Sequence, residues 1–103
     1  LIEKEDETFL NWARESYACV IFNLLVEHSK VGIEKASEHF RMLIDCSLEL
    51  GGSYYLTYHR WARKDQVESA YPRFTEFLEK KNQNDPQDLF TSEWHRHYRE
   101  MFS

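Results

Sequence analysis

Ten consecutive residues, from Tyr17 through Ala18, Cys19, Val20, Ile21, Phe22, Asn23, Leu24 and Leu25 to Val26, restrict the fold of this chain more than any other stretch. The run carries no charge, is rich in β-branched and aromatic side chains and is apolar at odd and even positions alike, so a strand built from it has two faces to bury. It reads as a central strand. Asn23 is the polar residue inside it, and burial obliges its amide to find a hydrogen-bond partner. A strand of this kind needs neighbours on its edges and cover on both faces.

After the turn Glu27 to Lys30, the positions Ile33, Ala36, Phe40, Leu43, Ile44, Ser47 and Leu48 follow helical spacing up to Leu50. Gly51 supplies the left-handed conformation that closes this helix, and Gly52 allows a close backbone approach. Ser53 to Tyr58 follows as a second strand, with Tyr54, Leu56 and Tyr58 on one face and Tyr55 and Thr57 on the other. Strand, helix and strand in this order make a parallel crossover unit. Upstream, Asp6 or Thr8 caps a short helix through Arg14 that groups Phe9, Trp12 and Ala13. Downstream, helices are expected over Arg63 to Ala70, from Pro72 to about Lys81, and from the Ser92 cap through Phe102. Asn82 to Pro86 reads as a turn, and Leu89 and Phe90 as a small plug.

The expected class is therefore α+β: a small sheet carrying the strand-helix-strand unit, covered by helices, then a helical C-terminal half. With 103 residues, 42% of them hydrophobic, the chain fills one core over residues 1–103. Two strands make a thin sheet, so a further strand is expected from a partner or a larger parent chain. The start at Leu1 agrees with a fragment.

A net charge of −5 argues against general binding to nucleic acid or anionic lipid, and the basic run His95 to Arg99 is too short to reverse that. No apolar stretch is long enough to span a membrane, and no signal peptide is visible. Cys19 and Cys46 are a sparse complement set among apolar residues, which suits free thiols in a reducing, cytoplasmic setting, although a bridge between the strand and the following helix is geometrically conceivable. His95 and His97 point about 200° apart on a helix, and Glu93 with His97 has ligand spacing but no third partner, so no metal site is expected. The glycine pair closes a helix and does not open one, which removes a phosphate-cradling reading.

The dense chemistry lies at Tyr58-His59-Arg60-Trp61. Three tyrosines in the strand before it fit either a core with phenols at the rim or one wall of a ligand site. The order Gly51-Gly52-Ser53-Tyr54-Tyr55-Leu56-Thr57, then Tyr71-Pro72, Asp85-Pro86, Phe90, Ser92 and Arg96 resembles the C-terminal part of FAD-linked oxidoreductases of the vanillyl-alcohol oxidase type, in the decaprenylphosphoryl-ribose oxidase and sugar-lactone oxidase branches. The resemblance implies a cap domain that forms the substrate side of a flavin pocket, with FAD held mainly by an upstream domain as its partner and a small-molecule CH–OH substrate. It places Tyr55 and Tyr58 beside the cofactor and makes Tyr58, His59 and Arg60 the catalytic candidates. Tyr58 stands where the family has a lysine; a phenol can hydrogen-bond but supplies no cation, a role that would pass to His59 or Arg60. The chain alone is then expected to be inactive. The alternative, from another class, is a small α+β regulatory or interaction module that pairs strands with a partner or with itself as a homodimer.

Overall fold

The computed structural model describes Leu1–Ser103 as four helices joined by extended and turn segments. Helix α1 spans Lys30–Glu49, α2 Lys64–Ala70, α3 Phe74–Asn84 and α4 Glu93–Phe102. None is long and apolar enough to cross a membrane. The start of α1 is fixed by Ser29, whose hydroxyl oxygen accepts the Gly32 N–H at 3.0 Å. Its end is a Schellman turn: Gly51 takes φ +74, its N–H donates to the Leu48 carbonyl at 3.0 Å, and the Gly52 N–H donates to the Ser47 carbonyl at 2.8 Å. A Cβ on Gly52 would lie 2.7 Å from the Ser47 hydroxyl oxygen, so the close neighbour that this glycine admits is α1 itself.

The α+β expectation is overturned, because no sheet forms. Both expected strands fail, for different reasons. Residues 18 to 27 run without turn or bend, yet Ala18 to Val26 make no backbone–backbone hydrogen bond, since the chain offers them no partner strand. The sole bridge is Ile2 with Tyr17, antiparallel, through bonds of 2.7 and 2.9 Å. Every residue from Ala18 to Leu25 is exposed, Asn23 included, so the burial expected for its amide does not arise.

In the second case the acceptors are already taken. The Ser53 carbonyl accepts from the Ser47 hydroxyl at 2.7 Å, that of Tyr54 from the Tyr71 hydroxyl, and that of Leu56 from the Trp94 indole N–H at 3.3 Å. Side chains from helices occupy the positions that a neighbouring strand would need, and the chain turns at Leu56 and Thr57. Inward alternation survives for Tyr54 and Leu56 but not for Tyr58, which lies beyond the turn.

The core belongs to the second half of the molecule. Ile44 of α1, Leu56 and Ala62 of the connecting segment, Val67, Ala70, Tyr71 and Phe74 around α2 and α3, and Tyr98 of α4 are buried together. Phe74 is its hub, with ring centroids 5.0 Å from Phe102, 5.2 Å from Tyr98 and 6.0 Å from Trp94. Gln66 ties α1 to α2: its amide N–H groups donate to the Arg41 carbonyl at 2.8 Å and to Asp45 at 2.7 Å, and its oxygen accepts the Arg63 N–H at 3.0 Å.

Other local expectations also shift. The N-terminal helix does not form; instead the Glu5 carboxylate accepts the N–H groups of Glu7 and Thr8 at 2.6 and 2.7 Å and holds a loop that buries Ala13. Pro72 sits in the turn before α3, and α3 continues to Asn84 through part of the expected turn cluster. Leu89 and Phe90 are no plug: both are exposed, on a loop pinned by the Asp85 carboxylate, which accepts their N–H groups at 2.9 Å.

Candidate functional site

The segment from Gly52 to Arg63 has no regular structure of its own and is set in place by α1, α4 and the turn before α3. It carries all the candidate residues, and the structure divides them among three surroundings. Tyr55 and Tyr58 pack edge to face, 4.9 Å between ring centroids, and Trp12 from the N-terminal loop meets Tyr55 at 5.6 Å. Tyr55 is 47% exposed and Tyr58 85% exposed, so this aromatic group opens to solvent.

His59 turns elsewhere, stacked on Trp61 at 4.9 Å and edge-on to Phe40 of α1 at 4.0 Å. Burial holds its imidazole below the usual histidine range, and its Nδ1 has no hydrogen-bond partner. It is therefore neutral near pH 7. Arg60 reaches toward α4, where a guanidinium nitrogen lies 4.0 Å from the Glu93 carboxylate, itself paired with Arg96. His59 thus brings no charge to this segment, and Arg60 is engaged with an acid.

Beneath Tyr55 lies a cleft of about 220 Å³, lined by Leu10, Trp12, Tyr55, Leu56, Thr57, Tyr71 and Trp94. It is smaller than the roughly 300–1,000 Å³ of ordinary small-molecule pockets and is apolar apart from Thr57 and the tyrosine hydroxyls. Burial raises the Tyr71, Tyr54 and Tyr98 phenols above the usual tyrosine range, so all three stay protonated at physiological pH. Trp12, Tyr71 and Trp94 were not singled out from the sequence as site residues. Trp94 carried a usable signal, as an aromatic in the first turn after the Ser92 cap, whereas Trp12 reaches the cleft only through a loop fold that no local pattern specifies.

Elsewhere, α4 is less uniformly polar than its run His95 to Arg99 suggests, since His95 and Tyr98 point inward. His95 Nδ1 lies 3.2 Å from the Thr91 hydroxyl and 3.9 Å from Asp88, which also pairs with Lys81 at 2.8 Å and with Arg99. No group of three or more His, Cys, Asp or Glu side chains is placed to hold a metal ion. Cys19 and Cys46 are both free and both exposed, not packed as apolar groups. No family model, curated protein or solved structure matches the chain.

Proposed function

We propose that this chain supplies the substrate-facing wall of a flavin-linked oxidoreductase that acts on a CH–OH group of a sugar, lactone or similar small molecule. The observation that carries the reading is the open aromatic shelf of Trp12, Tyr55 and Tyr58, built on the Gly-Gly-Ser-Tyr-Tyr-Leu-Thr segment on which the resemblance rests. The apolar cleft of about 220 Å³ that Tyr55 and Trp12 also line adds a recess to that shelf.

The chain's own residues fit only part of FAD. The exposed edges of Tyr55 and Tyr58 suit aromatic contact with a planar ring. Nothing fits the pyrophosphate: Gly32 lies inside α1, and Gly51 and Gly52 end that helix, so no glycine loop opens a helix toward an anion. FAD would be held mainly by the upstream domain of the enzyme, and when bound it would accept the hydride from the substrate carbon.

In this arrangement Tyr55 orients and shields, and the cleft below it excludes water from the ring edge. Tyr58, whose phenol faces outward, donates a hydrogen bond to a substrate oxygen or relays its proton. His59, neutral in its Trp61–Phe40 setting, positions the Tyr58 backbone and does not act as a cation. Tyr58→Phe in the flavin-loaded enzyme should slow flavin reduction about tenfold, the effect of losing one hydrogen bond worth about 1–1.5 kcal/mol, with the melting temperature unchanged. An unchanged reduction rate would remove Tyr58 from the chemistry. If the purified 103-residue chain came out yellow with bound flavin, the division of labour would be wrong.

A further inference from the structure

We propose that the cleft beneath Tyr55 is a binding site for a small, flat, uncharged aromatic molecule of one ring or two fused rings. This inference goes beyond the flavin reading and does not need it, because it rests on the size of the cleft and on where its hydrogen-bonding groups are spent.

The volume sets the size of the occupant. At about 220 Å³ the cleft exceeds the roughly 150 Å³ of an apolar cavity that takes up benzene, and it falls short of the roughly 300 Å³ at which drug-sized pockets begin.

The walls set its chemistry. No charged side chain lines the cleft. The polar groups on its inner walls are consumed within the fold, the Tyr71 hydroxyl donating to the Tyr54 carbonyl and the Trp94 indole N–H to the Leu56 carbonyl at 3.3 Å. The remaining hydroxyls belong to Tyr55 and Thr57, both exposed at the rim. A carboxylate, an ammonium group or a ring of sugar hydroxyls would therefore lose water in the cleft and gain no partner, a cost that an aromatic hydrocarbon surface does not carry. This leaves the outer shelf, and not the cleft, to the alcohol of the flavin reading. Trp12, Tyr55, Tyr71 and Trp94 offer ring faces and edges, which favours a flat ring over an alkyl chain of equal area.

The cleft is a seam between two parts of the chain, held open by fastenings outside it. Trp12 comes from the N-terminal loop, and the facing wall is the body around Leu56 and Tyr71. Ile2 and Tyr17 bridge the loop at its base, the Tyr17 hydroxyl donates to the Gly51 carbonyl at 2.9 Å, and the Arg73 guanidinium lies 4.2 Å from the centre of the Phe9 ring. Trp12 meets Tyr55 edge to face at 5.6 Å, so its indole stands as a wall and does not fill the recess.

Titration of 5-fluoroindole with the purified 103-residue chain, followed by fluorine NMR, tests the site without any flavin. Saturable binding is expected with a Kd below about 1 mM, a modest affinity suited to so small a ligand. 4-Fluorobenzoate and 2-fluoro-2-deoxyglucose should bind at least about tenfold more weakly. Trp12→Leu, which keeps an apolar side chain in the loop, should raise the Kd for 5-fluoroindole about tenfold. Because Trp12 packs against the core, Tyr55→Leu, at a side chain outside the buried cluster, is the second variant; it should weaken binding and melt like the parent. Ile21→Ser, on the exposed apolar segment, should leave the Kd unchanged. Absence of saturable binding at about 3 mM ligand, equal affinity for 4-fluorobenzoate, or a Kd that survives Tyr55→Leu would overturn the proposal. Loss of binding in Ile21→Ser would put the ligand on the exposed segment and overturn it as well. The flavin-reduction rate of Tyr58→Phe is read separately, so the two readings fail independently.

Discussion

Gln66 shows how much a single side chain can decide in a core this small. It is 1% exposed, yet all of its hydrogen-bonding groups are engaged, across α1 and at the start of α2. Gln66→Leu keeps much of the volume but strands the Arg63 N–H and takes a donor from Asp45, so it should destabilise the chain by about 1–3 kcal/mol, measured by urea denaturation. A loss below about 0.5 kcal/mol, the range of ordinary surface changes, would show that water replaces the amide. This role could not be read from the sequence, because its partners stand 25 and 21 positions away. Gly51 is the opposite case: the demand for positive φ at a helix end is local, and the residue announces it. Tyr55 and Tyr58 lie between these cases. Strand alternation set them on opposite faces, and the turn at Leu56 and Thr57 that brings Tyr58 against Tyr55, and parts it from His59 and Arg60, was not legible.

Among the elements, helices α1, α2 and α4 follow from apolar periodicity and their caps, whereas both strands depended on partners that periodicity does not reveal. Strand-forming composition in Tyr54 to Tyr58 lost to three side-chain donors that arrive from α1, α4 and the turn before α3. Helix α4 also carries a pH dependence. Burial is the main cause that lowers both His95 and His97, so the unfolded chain binds more protons than the folded one as pH falls through the ordinary histidine value of about 6.5. The stability from their neutral forms is complete above that value and is lost as pH drops below it, levelling once the folded groups also protonate. Asp85 does not mask the effect, because the Lys81 ammonium and the Phe90 N–H hold its carboxyl at about 2. The melting temperature should fall between pH 7 and pH 5, and His97→Gln should flatten the slope. A melting temperature constant across that range would show that both rings are hydrated in the folded chain.

For the molecule as a whole, a helical core built from the C-terminal half of α1 onward carries an uncovered apolar segment that takes no part in it. The strand expected over Tyr17 to Val26 does not form, because pairing is a property of distant residues that local composition does not carry. The flavin reading treats the chain as one side of a larger arrangement, and a core confined to the second half of the molecule with an uncovered segment before it is the structural picture it is set in. Hydrogen–deuterium exchange on the purified chain tests it most directly. Amides of Cys19 to Val26 should exchange at close to their unstructured rates, while those of Val67, Ala70, Tyr71 and Tyr98 exchange slowly through global opening. Slow exchange throughout Cys19 to Val26 in the isolated monomer would contradict the unpaired segment and the sheet-free fold.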